Sequence, residues 1–205
     1  MYSEGETRII VENMVARRSI RSYRPEQISE EDLKTILKCG LYAPSGGNSQ
    51  YARFIVVQEL ALIGELNRLI QRELAGREIV EGQWMNRGIV RARKEGYHFI
   101  YHAPTLINAV APRDHANSMA DCTGCLQNMQ LAAWALNLGA CWSNQPHWLT
   151  DVPEIREFFK GCGLRDEEDI FGSISVGYPA VRPAVRPDRK KGRVLMDTVC
   201  EFDIL

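Results

Sequence analysis

The strongest constraint on the fold is an uncharged stretch in the second half of the chain. No Asp, Glu, Lys or Arg stands between Asp121 and Asp151. Helical periodicity over Asp114–Asn137 predicts the longest helix of the chain. Its broad apolar face is formed by Cys125, Leu126, Met129, Ala132, Ala133 and Leu136. Such a helix has to be buried on most sides, and Gly139 is predicted to end it as a left-handed C′ residue.

Further elements are predicted on both sides of this central helix. The spacing of apolar residues predicts helices over residues 7–16, 30–42, 60–75 and 152–160. Apolar and β-branched runs predict strands over residues 54–58, 105–110, 140–142 and 170–176. Ser29 is a suitable N-cap, followed by acidic residues in the first helical turn. Residues 76–96 fit neither pattern, and an aromatic run, Tyr97–His102, follows them.

Composition excludes several functional classes. The chain has 205 residues, 45% hydrophobic and 25% charged, with a net charge of −1. These values are typical of an ordinary globular protein. No apolar run is long enough to cross a membrane, and the N-terminus does not have the pattern of a secretory signal. We therefore expect a cytoplasmic protein, with no membrane partner, whose six cysteines stay reduced.

The first candidate functional segment is Val15–Arg24, which carries four arginines and two serines but no acid. Arg17, Arg18, Ser19 and Arg21 form its densest part, at or just past the end of a predicted helix. Guanidinium groups bind phosphate oxygens in two-point contacts, and a serine hydroxyl adds a donor. A solvated surface cluster is the simpler alternative. A nucleic-acid arm fits poorly, because no wider basic face supports the cluster.

A second candidate is the loop from Ala43 to Gln50, which contains two glycines, two serines and two amides. Such a loop lets the backbone approach a flat ligand closely, although it could equally be a plain connection between a helix and a strand. Other motifs fail: the sequence has no G-x-G-x-x-G, Walker, H-E-x-x-H or G-x-S-x-G pattern. Cys122 and Cys125 form a lone C-x-x-C inside the long helix, which predicts core-facing thiols and no metal site, with a redox dithiol as the alternative.

Five segments together resemble the FMN-dependent nitroreductase family. In order they are ARRSIRSY, LYAPSGGNSQ followed by RFIVV, YHAPTLI, QNMQLAAWALNLGACW, and SVGYPA with a basic tail. The resemblance runs from about residue 11 to residue 193. It implies one domain over residues 1–205, with an α+β fold in which helices flank a mixed, mainly antiparallel sheet. It also implies an intertwined homodimer with FMN at the interface, in which an extended C-terminal arm, residues 180–205, packs on the partner subunit.

The resemblance also implies a set of flavin-binding residues. These are Arg17, Arg18, Ser19, Arg21, Pro44, Ser45, Gly46, Gly47, Asn48, Gln50, Ser143, Asn144, Gln145 and Arg189. Arg17 and Ser19 are expected at the phosphate and ribityl end, and Arg21 at the pyrimidine edge near N1 and O2. Residues 44–50 are expected from the other subunit, and backbone groups of residues 143–145 near N5.

Some positions are less well defined by the resemblance. A tail arginine, Arg189, is expected to meet the phosphate, with Arg186 and Lys190 as shifted alternatives. The family commonly has Pro and Trp directly after the loop glutamine, where this chain has Tyr51 and Ala52. Residues 76–96 match no flavin contact. Because this excursion usually shapes the substrate pocket, Trp84, Met85 and the nearby Tyr97 are proposed substrate contacts.

The implied activity is transfer of hydride from NADH or NADPH to the flavin and then to a nitroaromatic, a quinone or a similar small acceptor. The two half-reactions follow a ping-pong scheme, and no catalytic side chain is required because the chemistry takes place at flavin N5. Alternatives on the same fold are a reductive dehalogenase and a flavin-fragmenting enzyme. A non-catalytic flavin-binding protein is the alternative from another class, and a nucleic-acid partner is not expected.

Overall fold

A four-stranded sheet lies between two layers of helices. The computed structural model describes residues 2–183, 185, 187–196 and 200–201. The helices are α1 (Glu4–Ala16), α2 (Glu30–Leu41), α3 (Leu60–Gly76), α4 (Asn86–Ala92), α5 (Ser118–Ala135), α6 (Gln145–Trp148) and α7 (Pro153–Gly161). The strands are β1 (Arg53–Val57), β2 (Thr105–Pro112), β3 (Gly139–Ser143), β4 (Glu168–Gly177), β5 (Leu195–Met196) and β6 (Cys200–Glu201).

The sheet has the order β1-β2-β4-β3, and all its strand pairs are antiparallel. The central strand β2 is buried on both faces, as its apolar sequence predicts. The predicted α+β fold with helices around a mainly antiparallel sheet is therefore confirmed. Parallel pairing within the described residues is limited to one bridge between Ser19 and Ala140.

Alternation along β2 divides the core into two clusters. Leu106 and Val110 face one cluster, which α3 and α7 cover with residues such as Leu66 and Phe159. Ile107 and the neighbouring alanines face the other cluster, which α2 and α5 cover. Because side chains of a strand alternate between faces, one strand supplies both cores. No described helix is long and apolar enough to cross a membrane.

The central helix α5 is shorter than predicted at both ends. It begins at Ser118, whose hydroxyl donates to the Pro112 carbonyl at 2.6 Å. The prediction that Gly139 is the C′ residue is wrong, because Asn137 occupies that place with φ 62°. The Asn137 and Leu138 amides bond the carbonyls of Trp134 and Ala133, which is a Schellman ending. An asparagine amide tolerates this conformation better than most side chains do.

The first helix begins earlier than its apolar pattern predicts. Ser3 caps α1, and Glu6 completes a capping box with it, so the helix starts at Glu4 instead of Thr7. None of its residues is buried. Its apolar residues are therefore exposed in the single chain.

The arm that follows Pro179 is only partly described. Its start is held by Arg182, whose Nη2 donates to the Asn137 carbonyl at 2.5 Å and whose guanidinium lies over the Trp134 ring. Strands β5 and β6 pair with each other. Arg186 and the chain end after Glu201 lie outside the described residues. The assignment of residues 1–205 to one domain and the packing of the arm on a partner stay predictions.

An ion pair with a buried carboxylate joins the first residue of the edge strand β1 to the first residue of β4. Arg53 Nε and Nη2 donate to the two carboxylate oxygens of Glu168 at 2.8 and 3.1 Å. The Arg165 amide donates to the same carboxylate at 3.1 Å. Glu168 is only 2% exposed, so its charge is compensated entirely by these donors.

We expect Glu168→Gln to lower the free energy of unfolding by about 2 kcal/mol, because it weakens three charge-assisted hydrogen bonds in a buried place. Urea denaturation measures this loss. Glu157→Gln is the matched control, since Glu157 pairs with Lys160 at 3.3 Å on the surface, where such pairs contribute little. Equal losses for the two variants would contradict this account of the pair.

Candidate functional site

The arginine segment runs beside strand β3. The Ile20 amide donates to the Ala140 carbonyl at 3.0 Å, and Ser19 forms a parallel bridge with Ala140. Close approach is possible because residue 139 is glycine: a Cβ atom there would lie 2.7 Å from the Ile20 side chain. The segment is thereby aligned with the strand that leads to Ser143.

The two neighbouring arginines have different surroundings. Arg18 Nη1 donates to the carbonyls of Val15 and Arg17, at 2.9 and 2.7 Å, and so helps to satisfy the end of α1. Arg17 Nη1 is buried and has no hydrogen-bond partner among the residues that the structure describes. A buried guanidinium donor without a partner costs free energy. Arg17 therefore offers an unused donor at the start of the segment.

A cavity of about 560 Å³ opens beside Arg21. We call it the arginine cavity; it is lined by Arg21, Ser22, Tyr23, Arg91, Lys94, Glu95, Gly96, Tyr97, His98, Tyr101 and His102. Three of these side chains are cationic, three are phenols, and one is acidic. The cavity thus combines aromatic surface with an excess of positive charge, which suits a planar, electron-rich or anionic group.

Tyr101 brings two arginines together in this cavity. Its hydroxyl accepts a hydrogen bond from Arg91 Nη1 at 2.9 Å, and the Arg91 guanidinium lies 4.9 Å from the Tyr101 ring centroid. Partial burial alone would lower the pKa of Arg21, but the nearby Cys141 thiol and Tyr101 hydroxyl outweigh it and raise that pKa. Tyr101 and His102 have φ values of 58° and 61°, which are strained for residues with side chains.

Sequence reasoning identified Arg21 but missed Arg91 and Tyr101. Arg91 lies on α4, inside the excursion that fits no pattern. Tyr101 belongs to the aromatic run 97–102, which is the one signal that could have found it. Backbone strain of the kind seen at Tyr101 often marks a functional site.

Gln145, which follows β3, is joined to the arginine cavity through Tyr97. The Tyr97 hydroxyl donates to Gln145 Oε1, and Trp142 Nε1 donates to Asn144 Oδ1. Burial raises the pKa of Tyr97, although the bond to Gln145 opposes the shift, so the phenol stays protonated. Ser143 ends β3 and is buried. The structure therefore brings Gln145, Tyr97 and Arg21 together, whereas Ser143 and Asn144 do not line the cavity.

The second predicted segment lies elsewhere. Residues 46–48 form a single 3-10 turn, and Gly47, Asn48 and Gln50 all have positive φ values, of 60°, 55° and 52°. A separate cavity of about 570 Å³, the loop cavity, is lined by Leu41, Tyr42, Ala43, Pro44, Ser45, Asn48, Gln50, Ala52 and Cys125. Among the described residues, none lines both this cavity and the arginine cavity.

Many of the predicted residues line neither cavity, among them Trp84, Met85 and Arg189. Trp84 is 63% exposed and its ring contacts that of Trp148, with 4.3 Å between centroids. Met85 Sδ accepts a contact from Arg77 Nη1 at 3.3 Å. Arg189 is exposed, and its Nη1 donates to the Pro187 carbonyl at 2.8 Å. Of the predicted substrate contacts, only Tyr97 lines the arginine cavity.

Comparison with known proteins settles the family. The family model described as "Nitroreductase family" matches residues 14–178. This chain belongs to the nitroreductase family. A crystal structure of a nitroreductase with bound FMN from Bacteroides fragilis NCTC 9343 superimposes with a TM-score of 0.80 and 30% identity, over 91% of this chain and 97% of that one.

Two curated relatives extend the comparison of this nitroreductase. An Archaeoglobus fulgidus protein with the provisional name NADH dehydrogenase/NAD(P)H nitroreductase is 28% identical over 80% of this chain and 81% of its own length. The iodotyrosine deiodinase of Thermotoga neapolitana is also 28% identical, over 80% of this chain and 84% of its own length. The family identified from the five sequence segments is confirmed.

His98, which lines the arginine cavity, contributes to the pH dependence of stability. Burial and the neighbouring His102, whose ring centroid lies 4.3 Å away, lower the pKa of His98 to about 4. The unfolded chain takes up a proton at this residue from about pH 6.5 downwards, whereas the folded chain resists protonation until about pH 4. Its contribution to stability is therefore present above pH 6.5 and is lost as the pH falls towards 4.

We expect His98→Gln to retain more of its stability than the wild-type protein when the pH is lowered from 7.5 to 4.5, because the variant has no buried imidazole to protonate. Urea unfolding at the two pH values measures the loss for each protein. An equal loss in both proteins would show that His98 does not contribute to the acid response.

Proposed function

We propose that this nitroreductase is an FMN-dependent oxidoreductase that uses NADH or NADPH to reduce nitroaromatic, quinone or similar small acceptors. The family match, an FMN-bound neighbour and relatives named for NAD(P)H chemistry confirm the enzyme class at this level. The acceptor and the ping-pong order are proposals. The observation that supports flavin binding is the buried, unpartnered Arg17 Nη1, in the same segment as Arg21, whose cavity combines cations with aromatic rings.

The residues present fit a flavin mononucleotide. Arg17 offers a buried donor that lacks an acceptor, as a phosphate-binding arginine does in the absence of its anion. Ser19 lies next to it on the edge of β3, and Arg189 follows in the arm. Arg21 and Arg91 supply positive charge to the arginine cavity, where the pyrimidine edge would be held.

When bound, FMN supplies hydride acceptance and donation at N5, so that no side chain has to form a covalent bond with the substrate. The side chains of the protein would position the flavin and adjust its electrostatic surroundings. Arg21 and Arg91 provide positive charge that favours a reduced, anionic flavin. Tyr101 holds Arg91 at that place through its 2.9 Å hydrogen bond. Gln145 holds Tyr97 against the wall of the cavity.

We propose a homodimer in which residues 44–50 of one chain complete the site of the other. The support is the separation of the two cavities within one chain and the exposed apolar surface of α1. A groove of about 960 Å³ lies between α1 and α5 and includes Ile9, Met14 and Leu131. A helix without a single buried residue gains stability mainly from a partner. The expected cytoplasmic location belongs to the same proposal.

A reductive dehalogenase is the second candidate. It is favoured by the iodotyrosine deiodinase of Thermotoga neapolitana, which is 28% identical to this chain. In that case the same flavin site would remove halide from an aromatic ring. Release of iodide from 3-iodotyrosine, measured with chemically reduced protein, distinguishes this activity from NAD(P)H-dependent reduction of a nitroaromatic.

We expect Arg17→Gln to raise the dissociation constant for FMN by about tenfold or more, because a charged hydrogen bond to phosphate contributes about 1.5–3 kcal/mol. Quenching of flavin fluorescence on binding measures the constant. Arg24→Gln is the matched control: Arg24 is an exposed arginine of the same segment, and its substitution should leave the constant unchanged.

The activity itself is tested by NADH and NADPH oxidation coupled to a nitroaromatic or a quinone in the FMN-loaded wild-type protein. The proposal predicts acceptor-dependent oxidation of at least one of the two nucleotides. A protein that binds FMN but oxidises neither nucleotide faster than free FMN would be a flavin-binding protein and not a reductase.

We expect Ile9→Lys to convert the dimer to a monomer and to weaken FMN binding with it, because a buried ammonium group opposes an apolar interface. Sedimentation velocity measures the mass. Leu60→Lys is the matched control, since Leu60 is 70% exposed and Ile9 is 71% exposed, but Leu60 lies on α3. A wild-type monomer that binds FMN fully would contradict the shared site.

A further inference from the structure

The loop that lines the loop cavity rests on the N-terminal part of α5. The Gly46 amide donates to Asp121 Oδ1 at 3.0 Å, and the Ser49 hydroxyl donates to Asp121 Oδ2 at 3.4 Å. Asp121 is only 7% exposed. One buried carboxylate therefore bonds the loop at two points, three residues apart.

Two further contacts hold the loop to the same end of α5. A Cβ atom on Gly46 would lie 1.9 Å from Asn117 Nδ2, so the glycine packs directly against that side chain. The rings of Tyr51 and His115 meet edge to face, with 5.0 Å between centroids. The loop is thus held from three sides, and Asp121 is the central contact.

The conformation that these contacts maintain is strained. Asn48 and Gln50 have positive φ values, which residues with side chains adopt at some cost. Within the loop, the Gln50 amide donates to Ser45 Oγ and Gln50 Nε2 donates to Asn48 Oδ1, both at 3.1 Å. Such strain persists only where the surroundings determine the backbone strongly. The Asp121 carboxylate supplies that restraint from outside the loop.

Helical spacing connects this anchor to the loop cavity. Asp121 and Cys125 are four residues apart and share one face of α5, and Asn117, the N-cap residue, precedes Asp121 by the same interval. Cys125 lines the loop cavity, Asp121 bonds the loop, and Asn117 contacts Gly46. The loop therefore packs on this face of the helix.

We propose that Asp121 is a positioning residue that sets the loop 45–50 in the conformation needed to contact the flavin of the partner subunit. The inference rests on the proposed function, which assigns this loop to the shared flavin site. Asp121 itself touches neither cofactor nor substrate. It acts through the Gly46 amide and the Ser49 hydroxyl, and its buried charge strengthens both hydrogen bonds.

The test compares Asp121→Asn with the wild-type protein in three measurements. Hydrogen exchange of the apoprotein should be faster in residues 45–50 of the variant, since the amide oxygen is a weaker acceptor than the carboxylate. The FMN dissociation constant should rise about tenfold. The visible circular dichroism of the bound flavin should change, because the loop contacts its surroundings differently.

Asp114→Asn is the matched control, because Asp114 is an exposed acid that precedes the same helix. It should leave exchange, FMN affinity and the flavin spectrum unchanged. Ser49→Ala removes one of the two bonds and should change all three in the same direction by a smaller amount. This second variant tests the proposal even if Asp121→Asn does not fold.

The possible results test the proposed function and the role of Asp121 separately. Failure of the wild-type protein to bind FMN would overturn the proposed function and this inference with it. If the wild-type protein binds FMN, unchanged loop exchange and unchanged FMN affinity in both variants would overturn the inference alone. The inference would also be overturned if the tenfold loss of FMN affinity were matched by a loss of thermal stability of the same free energy and the flavin spectrum were unchanged. Asp121 would then be a structural residue only.

Discussion

The need to cover α5 determines much of this structure. The helix is apolar around most of its circumference, and its buried residues, from Cys122 to Ala133, pack against the sheet and α2. Its N-terminal part carries the loop 45–50 through Asp121. Its C-terminal part faces α1 across an open groove. Within one chain, the sheet, α2 and the loop 45–50 cover α5, and α1 flanks it across the groove, where a second chain is expected to pack in the proposed dimer.

The helices and strands of the fold are predictable because their buried residues are apolar and recur in the sequence with a recognisable pattern. The apolar run of β2 and the helical spacing of apolar residues in α2, α3 and α5 are local patterns, and all of them formed the expected elements. Helix ends depend on single polar contacts. The capping box at Ser3 and the left-handed Asn137 were missed because each depends on one residue that no neighbouring pattern marks. Gly139 suggested a helix end, but its lack of a side chain instead lets Ile20 pack closely against β3.

The candidate site could be predicted only in part. Arg17, Ser19 and Arg21 stand together in the sequence, so a short motif identifies them. Arg91 and Tyr101 meet Arg21 only after α4 packs against α3, and residues 76–96 have no periodicity to predict that helix. Asp121 marks the edge of the uncharged stretch, but its bonds to Gly46 and Ser49 join positions far apart in the chain. Long-range contacts of this kind have no local signal.

The central claim is that one flavin site is built from two chains, and subunit mixing tests it most directly. One chain carries Arg17→Gln, and the other carries Asn48→Ala together with Gln50→Ala. Each variant alone should form dimers that bind FMN poorly. A mixed dimer contains one intact site, so the account predicts about one FMN per mixed dimer, at wild-type affinity. Mixed dimers that bind no better than either variant would show that each chain builds its site alone.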